Sequence, residues 1–299
     1  VTRVLLATFS LLPDGEPGGD LLVAALAERG VEARWVVWDD PDVDWAAADL
    51  VVLRSTWDYQ RRYAEFSAWT RRVEGVTRLL HGSDVVAWNA GKAYLLELAA
   101  DHDGVPVVPT ALLDDRRLVP GLAAALDRWG TVVVKPRIGA GGVGVVVASS
   151  TDDPRLEGLV AGPWVVQPLV ASVRTVGESS MWVLAGEVVG QVDKRPAGGE
   201  VRVHELYGGS SAAVPVDPTR AEVARAAVVA AARRLGAPPA YARVDLVLLE
   251  GQEGLGGGWA VSELELIEPG LYLDLAPGLA APFADLVVSV LVVPGLGEA

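Results

Sequence analysis

The chain has 299 residues, 51% of them hydrophobic, and its 25 Lys plus Arg stand against 39 Asp plus Glu for a formal net charge of -14. That balance excludes a nucleic-acid backbone or an anionic membrane surface as partner, so any bound phosphate must be met by locally placed cations and metal. The absence of cysteine removes disulfides, thiol nucleophiles and Cys-type zinc sites, and no apolar run approaches the ~20 residues of a membrane span. The expectation is a soluble cytoplasmic protein of two or three domains or subdomains.

The first third alternates strand and helix. RVLLATFS (residues 3–10) reads as a buried strand, and DLLVAALAERG (residues 20–30) as a helix with Asp20 at its N-cap and Gly30 just past its end. VEARWVVWDD and DLVVLRST follow as two more strands, giving a βαβ-type unit with a parallel sheet. Ligands of such sheets sit beyond the C-terminal strand ends, which puts residues 14–20, Asp39, Asp40 and RSTWDY (residues 54–59) on the candidate rim. EFSAWTRRVEGV has a helical pattern. WNAGKAYLLELAADHDG (residues 88–104) is expected as a second helix with Asn89 near its start and Lys92 upon it, and VPVVPT (residues 105–110) as a short strand.

A further helix, RLVPGLAAALDRWG, leads to KPRIGAGGVGVVV (residues 135–147), in which Gly139, Gly141 and Gly144 fit G-x-G-x-x-G. A dinucleotide loop must open into a helix whose N-terminus meets the pyrophosphate. This loop lies instead between two β-branched runs, residues 130–136 and 143–149, so the glycines belong at a hairpin tip. Such a tip either folds over phosphates with its backbone N–H groups or is a flexible turn. TDDPRLEG then makes a charged turn and PWVVQPLV (residues 163–170) a strand, completing a small mobile subdomain. Beyond it come an antiparallel pair (residues 179–196), a long Ala-rich helix (residues 218–236) and a second pair, YARVDLVLLE with WAVSELELIEP, joined by the hairpin loop GQEGLGGG.

Side chains alternate along a strand, so Arg243 and Asp245 share one face, as do Glu263 and Glu265 on the partner strand. Converging carboxylates repel unless a cation compensates them, and oxygen-only ligands suit Mg²⁺ or Mn²⁺. The competing reading is a solvated acidic face. His81, His102 and His204 have no metal-ligand spacing, and no G-x-S-x-G nucleophile elbow occurs.

The order of these parts, Lys92, Lys135 before a glycine hairpin, VVQPLV, then Arg-x-Asp and Glu-x-Glu strands, resembles the ATP-grasp superfamily of carboxylate-amine ligases over almost the whole chain. The resemblance implies an α/β (α+β) ATP-grasp fold: an N-terminal βαβ-type substrate-side domain (1–111), a lid subdomain with the glycine loop (112–170) and a C-terminal antiparallel-sheet subdomain with the metal site (171–299). It implies ATP as co-substrate and Mg²⁺ or Mn²⁺ as cofactor. Lys92 and Lys135 would hold the α- and β-phosphates, and Gly139, Gly141, Gly142 and Gly144 would close over the β- and γ-phosphates. Gln167, Pro168, Leu169 and Val170 would pass beside adenine, and Asp245, Glu263 and Glu265 would hold metal, with Glu268 an open alternative. Many members carry Glu-x-Asn where this chain has Glu263-x-Glu265. Arg243, Arg202 and Lys194 would stabilise the transferring oxygens, with Arg195 left between that role and a surface ion pair.

LRSTWDY, GESSMWV, KRPAGGEVRV and YGG are most similar to the O-ureido-D-serine cyclo-ligase branch of the superfamily, from D-cycloserine biosynthesis. That branch implies activation of a carboxylate as acyl phosphate, closure of a ring by intramolecular nitrogen attack, and loss of the carbamoyl remnant as CO₂ and ammonia. A small zwitterionic amino acid is the expected partner, met by Arg54, Ser55, Asp58, Tyr59, Gly208 and Gly209, with Trp57 and His204 nearby. An intermolecular ATP-grasp ligase and a non-catalytic nucleotide-binding protein are the alternatives.

Overall fold

The computed structural model describes residues 1–114, 116–158, 162–251 and 256–292. The first unit runs β1 (Thr2–Thr8), α1 (Gly19–Ala27), β2 (Val31–Val37), β3 (Leu50–Ser55), α2 (Tyr63–Glu74), α3 (Gly82–Asn89) and α4 (Tyr94–Ala99). Its sheet is parallel in the order β2-β1-β3, as the βαβ pattern demands. Gly18, in the left-handed region at φ 73, is the N-cap of α1, and Asp20 falls in the first turn. That placement corrects the N-cap expected at Asp20, whose carboxylate instead faces the positive end of the helix dipole.

The helix expected over residues 88–104 is broken. Asn89 ends α3 rather than starting a helix, and Lys92 lies in the turn before α4. The reason is a set of three competing hydrogen bonds. Asn89 clamps a strand backbone, donating to the Leu264 carbonyl (2.8 Å) and accepting from the Leu266 N–H (2.8 Å), while the Lys92 N–H donates to Arg137 O (2.9 Å). Residues 105–110 form one isolated parallel bridge, Val107 to Val261, rather than a strand, since Pro106 and Pro109 carry no donor.

The second unit contains β4 (Ala111–Leu113), α5 (Leu118–Trp129), β5 (Val132–Pro136), β6 (Val146–Ala148) and β7 (Trp164–Pro168), an antiparallel sheet in the order β4-β7-β5-β6. Leu113, Leu122, Val132, Val134, Trp164 and Val166 give it a core of its own. The glycines join β5 to β6 as a hairpin, with no helix after them, which removes the dinucleotide reading.

The third unit is a five-stranded antiparallel sheet in the order β10-β9-β8-β11-β12, formed by β8 (Glu178–Leu184), β9 (Glu187–Arg195), β10 (Ser210–Val214), β11 (Tyr241–Glu250) and β12 (Gly257–Glu265). Helix α6 (Pro218–Leu235) covers one face of it through Ala224, Ala227 and Ala231 against Met181, Val244 and Leu264. Asp217 caps α6 by accepting from the Arg220 N–H, and Pro218 stands in its first turn. Helix α7 (Ala280–Val292) packs on α1, and Phe283 and Val287 share a core with Val4, Leu6 and Trp182, which fastens the third sheet to the first. The loop GQEGLGGG lies partly outside the described residues, at 252–255. Among the described residues no helix is long and apolar enough to cross a membrane.

Candidate active site

The strand register decides which side chains meet. Arg243 pairs with Glu265 and Asp245 with Glu263 across β11 and β12, while Asp245 faces Ser180 on β8 and Lys194 faces Glu178 across β8 and β9. With a period of two, these residues share the sheet face opposite the apolar one on α6. Arg243 forks onto Asp245 (3.0 and 2.9 Å) and reaches Glu265 (2.5 Å), and Ser180 donates to Asp245. Lys194 lies 3.2 Å from Glu178 and 3.6 Å from Asp245. The acidic face is buried, not solvated: Asp245 is 3% exposed and Lys194 4%.

Lys92 of the first unit links the second unit to this face, its Nζ donating to Glu263 (2.7 Å) and to the Gly139 carbonyl (2.9 Å). Lys135, on β5, is half-buried, and its ammonium has no hydrogen bond or ion pair among the described residues. Gly141, Gly142 and Gly144 all have positive φ. At Gly142, φ 70, a Cβ would come within 3.1 Å of the Tyr207 ring and 3.2 Å of Arg202, so only glycine lets the hairpin lie against the 198–209 loop. Arg202 stacks over Tyr207 (3.6 Å) and is tied to Glu200 (2.6 Å). Gly208 has φ 82, and a Cβ on Gly209 would lie 2.1 Å from the Val203 carbonyl.

The electrostatics follow from burial against pairing. Burial pushes the Asp245 carboxyl up, but Arg243, Lys194 and the Ser180 hydroxyl outweigh it and hold it well below the ordinary range. Glu263 is likewise held down by Lys92 and Lys135 against burial. Burial pushes Glu265 up to about 7, because Asp245 and Glu263 oppose what Arg243 offers. Glu268, in the turn after β12, is pushed up to about 8 by burial and by Glu265. Burial pushes the Lys135 ammonium down. Five carboxylates, Glu178, Asp245, Glu263, Glu265 and Glu268, thus face four cations, Lys92, Lys135, Lys194 and Arg243. An oxygen-only donor set with excess negative charge fits a hard divalent cation.

Several expected positions differ. Arg54 is 0% exposed, pairs with Glu16 (2.9 Å) and donates to the Pro269 carbonyl (2.7 Å), so its guanidinium is engaged beneath the rim rather than displayed on it. Ser55 is buried too, donating to Thr8 Oγ1 (2.8 Å), and Tyr59 packs in the core against Phe66. Asp58 keeps a place on the rim, accepting from Trp38 Nε1 (2.9 Å), beside a cleft of about 240 Å³ lined by Phe9, Ser10, Trp57 and Arg61. In the segment beside the candidate adenine site, Gln167 Nε2 donates to Thr110 (2.9 Å) and the Leu169 N–H to Thr131 O (2.9 Å), so that backbone donor is committed, while Pro168 ends β7 and the Val170 side chain is buried. Arg195 is exposed on the face away from Lys194, and His204 caps its own loop by accepting from the Leu206 N–H. Glu178 and Ser180 escaped the sequence reading, although GESSMWV alternates in step with Arg-x-Asp on the neighbouring strand.

Known proteins share this fold. Residues 4–81 match the family model for the N-terminal domain of D-cycloserine synthetase DcsG. The chain is 34% identical over 287 residues to the cycloserine biosynthesis protein DcsG of Streptomyces lavendulae, spanning 88% of this chain and 90% of that one. The crystal structure of D-cycloserine synthetase DcsG superposes with a TM-score of 0.84 at 31% identity, covering 97% of this chain and 99% of the other. The ATP complex of D-alanine–D-alanine ligase from Bacillus anthracis shares the fold, with a TM-score of 0.68 at 16% identity over 98% of each chain. With a lid hairpin facing a charged antiparallel sheet and this likeness along its whole length, the chain belongs to the DcsG family of ATP-grasp ligases and is an ATP-dependent ligase.

Proposed function

We propose that the enzyme converts O-ureido-D-serine to D-cycloserine, with ATP as co-substrate and Mg²⁺ as its metal, as a cytoplasmic cyclo-ligase. The observation that carries this reading is the 34% identity to DcsG across 90% of that protein's length. We further divide the chain at 1–111, 112–170 and 171–299, a division supported by the separate core of the second unit.

In this reading Lys92 and Lys135 meet the phosphates as point charges, the second being half-buried and unpaired among the described residues. Gly139, Gly141, Gly142 and Gly144 bring backbone N–H groups over them. Residues 167–170 pass the adenine. Asp245, Glu263 and Glu265 hold the divalent metal, whose chemistry is to neutralise charge on the transferring phosphoryl group. Arg243 and Lys194, fixed on the sheet face at 2.9 and 3.6 Å from Asp245, offer donors to the oxygens that gain charge, and Arg202 approaches from the loop under Gly142. Asp58, Gly208 and Gly209 flank the substrate, and Arg54, Ser55 and Tyr59 support its walls.

The substrate carboxylate takes the γ-phosphoryl group and becomes an acyl phosphate. The oxygen-bound ureido nitrogen attacks that carbonyl, the ring closes and phosphate leaves. One water then hydrolyses the carbamoyl group to CO₂ and ammonia. Attack within one molecule needs no second substrate pocket and gains from held geometry. Mass spectrometry of a mixture of enzyme, ATP, Mg²⁺ and O-ureidoserine alone tests the reading: ADP, phosphate and the cyclic product are expected, with no stimulation by amines. ADP formed only when an amine is added, with an amide conjugate, replaces it by an intermolecular ligase.

A further inference from the structure

Glu268 is 6% exposed and stands in the turn that follows β12. Every other carboxylate of the charged face has a cation within 4 Å: Glu178 and Asp245 have Lys194, Glu263 has Lys92 and Glu265 has Arg243. Glu268 has none among the described residues, and its carboxylate makes no hydrogen bond to another residue there.

The backbone that carries it is fixed from two sides. Trp57 Nε1 donates to the Glu268 carbonyl (3.0 Å), Arg54 to the Pro269 carbonyl (2.7 Å), Trp182 Nε1 to the Gly270 carbonyl (3.2 Å), and the Leu271 N–H to Glu16 (2.6 Å). Three of those partners come from the first unit, and one of them, Trp57, also lines the rim cleft. Glu268 therefore lies on the first-unit side of the charged face, between it and the rim. A buried carboxyl group held rigidly without a counter-ion has no charged partner of its own, and a cationic ligand that reaches it supplies one.

We propose that Glu268 receives the α-ammonium group of the small zwitterionic substrate. The inference rests on the cyclo-ligase reading and adds the residue that orients the amino end. The metal ligands already lie on β11 and β12 among Lys92, Lys194 and Arg243, whereas Glu268 sits past the strand end, where a compact three-donor ammonium can bridge to the rim.

The test compares O-ureidoserine with 3-(ureidooxy)propanoate, which lacks the amino group and closes the same ring. The unsubstituted enzyme is expected to prefer the amino acid by roughly 100-fold in kcat/KM, as a buried charge-assisted contact implies. Glu268→Gln is expected to raise the KM for O-ureidoserine by roughly 10- to 100-fold and shrink the preference to about 3-fold, leaving the nucleotide KM and the Mg²⁺ midpoint unchanged. A preference unaltered in Glu268→Gln, a shift of the Mg²⁺ midpoint larger than that of the substrate KM, or loss of ATP-analogue binding each overturns the inference alone. No turnover of O-ureidoserine by the unsubstituted enzyme overturns the cyclo-ligase reading, and this inference with it.

Discussion

Replacing Glu16 by Ala attacks the joint between the first and third units. The Glu16 carboxylate meets Arg54 at 2.9 Å with both side chains at most 2% exposed, and its other oxygen accepts from the Leu271 N–H at 2.6 Å. Arg54 also lies 4.6 Å from the Phe283 ring, and among the described residues its Nη1 has no hydrogen-bond partner and Glu16 is the carboxylate paired with the guanidinium. Breaking a buried pair from one side costs about 3 to 5 kcal/mol, because the remaining charge is left uncompensated. The orphaned Leu271 N–H adds on the order of 1 kcal/mol. Against a total of about 5 to 15 kcal/mol for a domain, Glu16→Ala is expected to lower the urea midpoint severely. Arg54→Met alone leaves a buried carboxylate and is similarly damaging, but the double variant is expected to recover at least about 2 kcal/mol relative to the sum of the singles. Equilibrium urea unfolding of the four proteins measures this. Additivity within about 0.5 kcal/mol would refute the claim that the two charges exist for each other.

Lys135→Ala is expected to weaken nucleotide binding roughly 10- to 100-fold, from the ~1.5 to 3 kcal/mol of a charge-assisted contact, as titration with an ATP analogue would show; unchanged affinity moves the phosphates elsewhere. Glu265→Gln should reduce Mg²⁺-dependent ADP release at least about tenfold more than Asp152→Asn, whose carboxylate is exposed in a turn beside Ser150, and equal effects would relocate the metal. His81, 2% exposed, lies within hydrogen-bond reach of the Leu266 carbonyl (2.7 Å) and accepts from the Tyr241 N–H (3.1 Å), and burial lowers its pKa from 6.5 to about 4. The unfolded chain then binds the extra proton, so about 3 kcal/mol of stability is present above pH 6.5 and lost as pH falls toward 4. His81→Gln, which can keep both hydrogen bonds, should flatten that part of the urea-midpoint profile, and an unaltered slope would place the titration at another group.

What could be read in advance was whatever depends on local period. Arg243, Asp245, Glu263 and Glu265 share a face because strands alternate, and the glycine hairpin declares itself by the β-branched runs on either side. What depends on a distant partner was hidden. Arg54 looked like a rim cation because it stands near a strand end, but Glu16 in a Gly/Pro loop claims it. Asn89 looked like a helix start because its polar side chain suits one, yet it spends its amide on the backbone around Leu264 and Leu266. The edge strand β10, SSAAV, carries no alternation to detect.

The bond from Lys92 to Glu263 couples two binding events. On the roles proposed for these residues, a phosphate that draws Lys92 away leaves Glu263 without a counter-ion, and a divalent cation at Glu263 releases Lys92. Each ligand removes the competitor of the other, so saturation with Mg²⁺ tightens nucleotide binding by the same factor as nucleotide tightens Mg²⁺. Because Lys92 also holds the Gly139 carbonyl, the glycine hairpin is freed in the same exchange. Nucleotide and metal thus enter as a pair whose opposite charges partly cancel, each taking the partner that the other displaces.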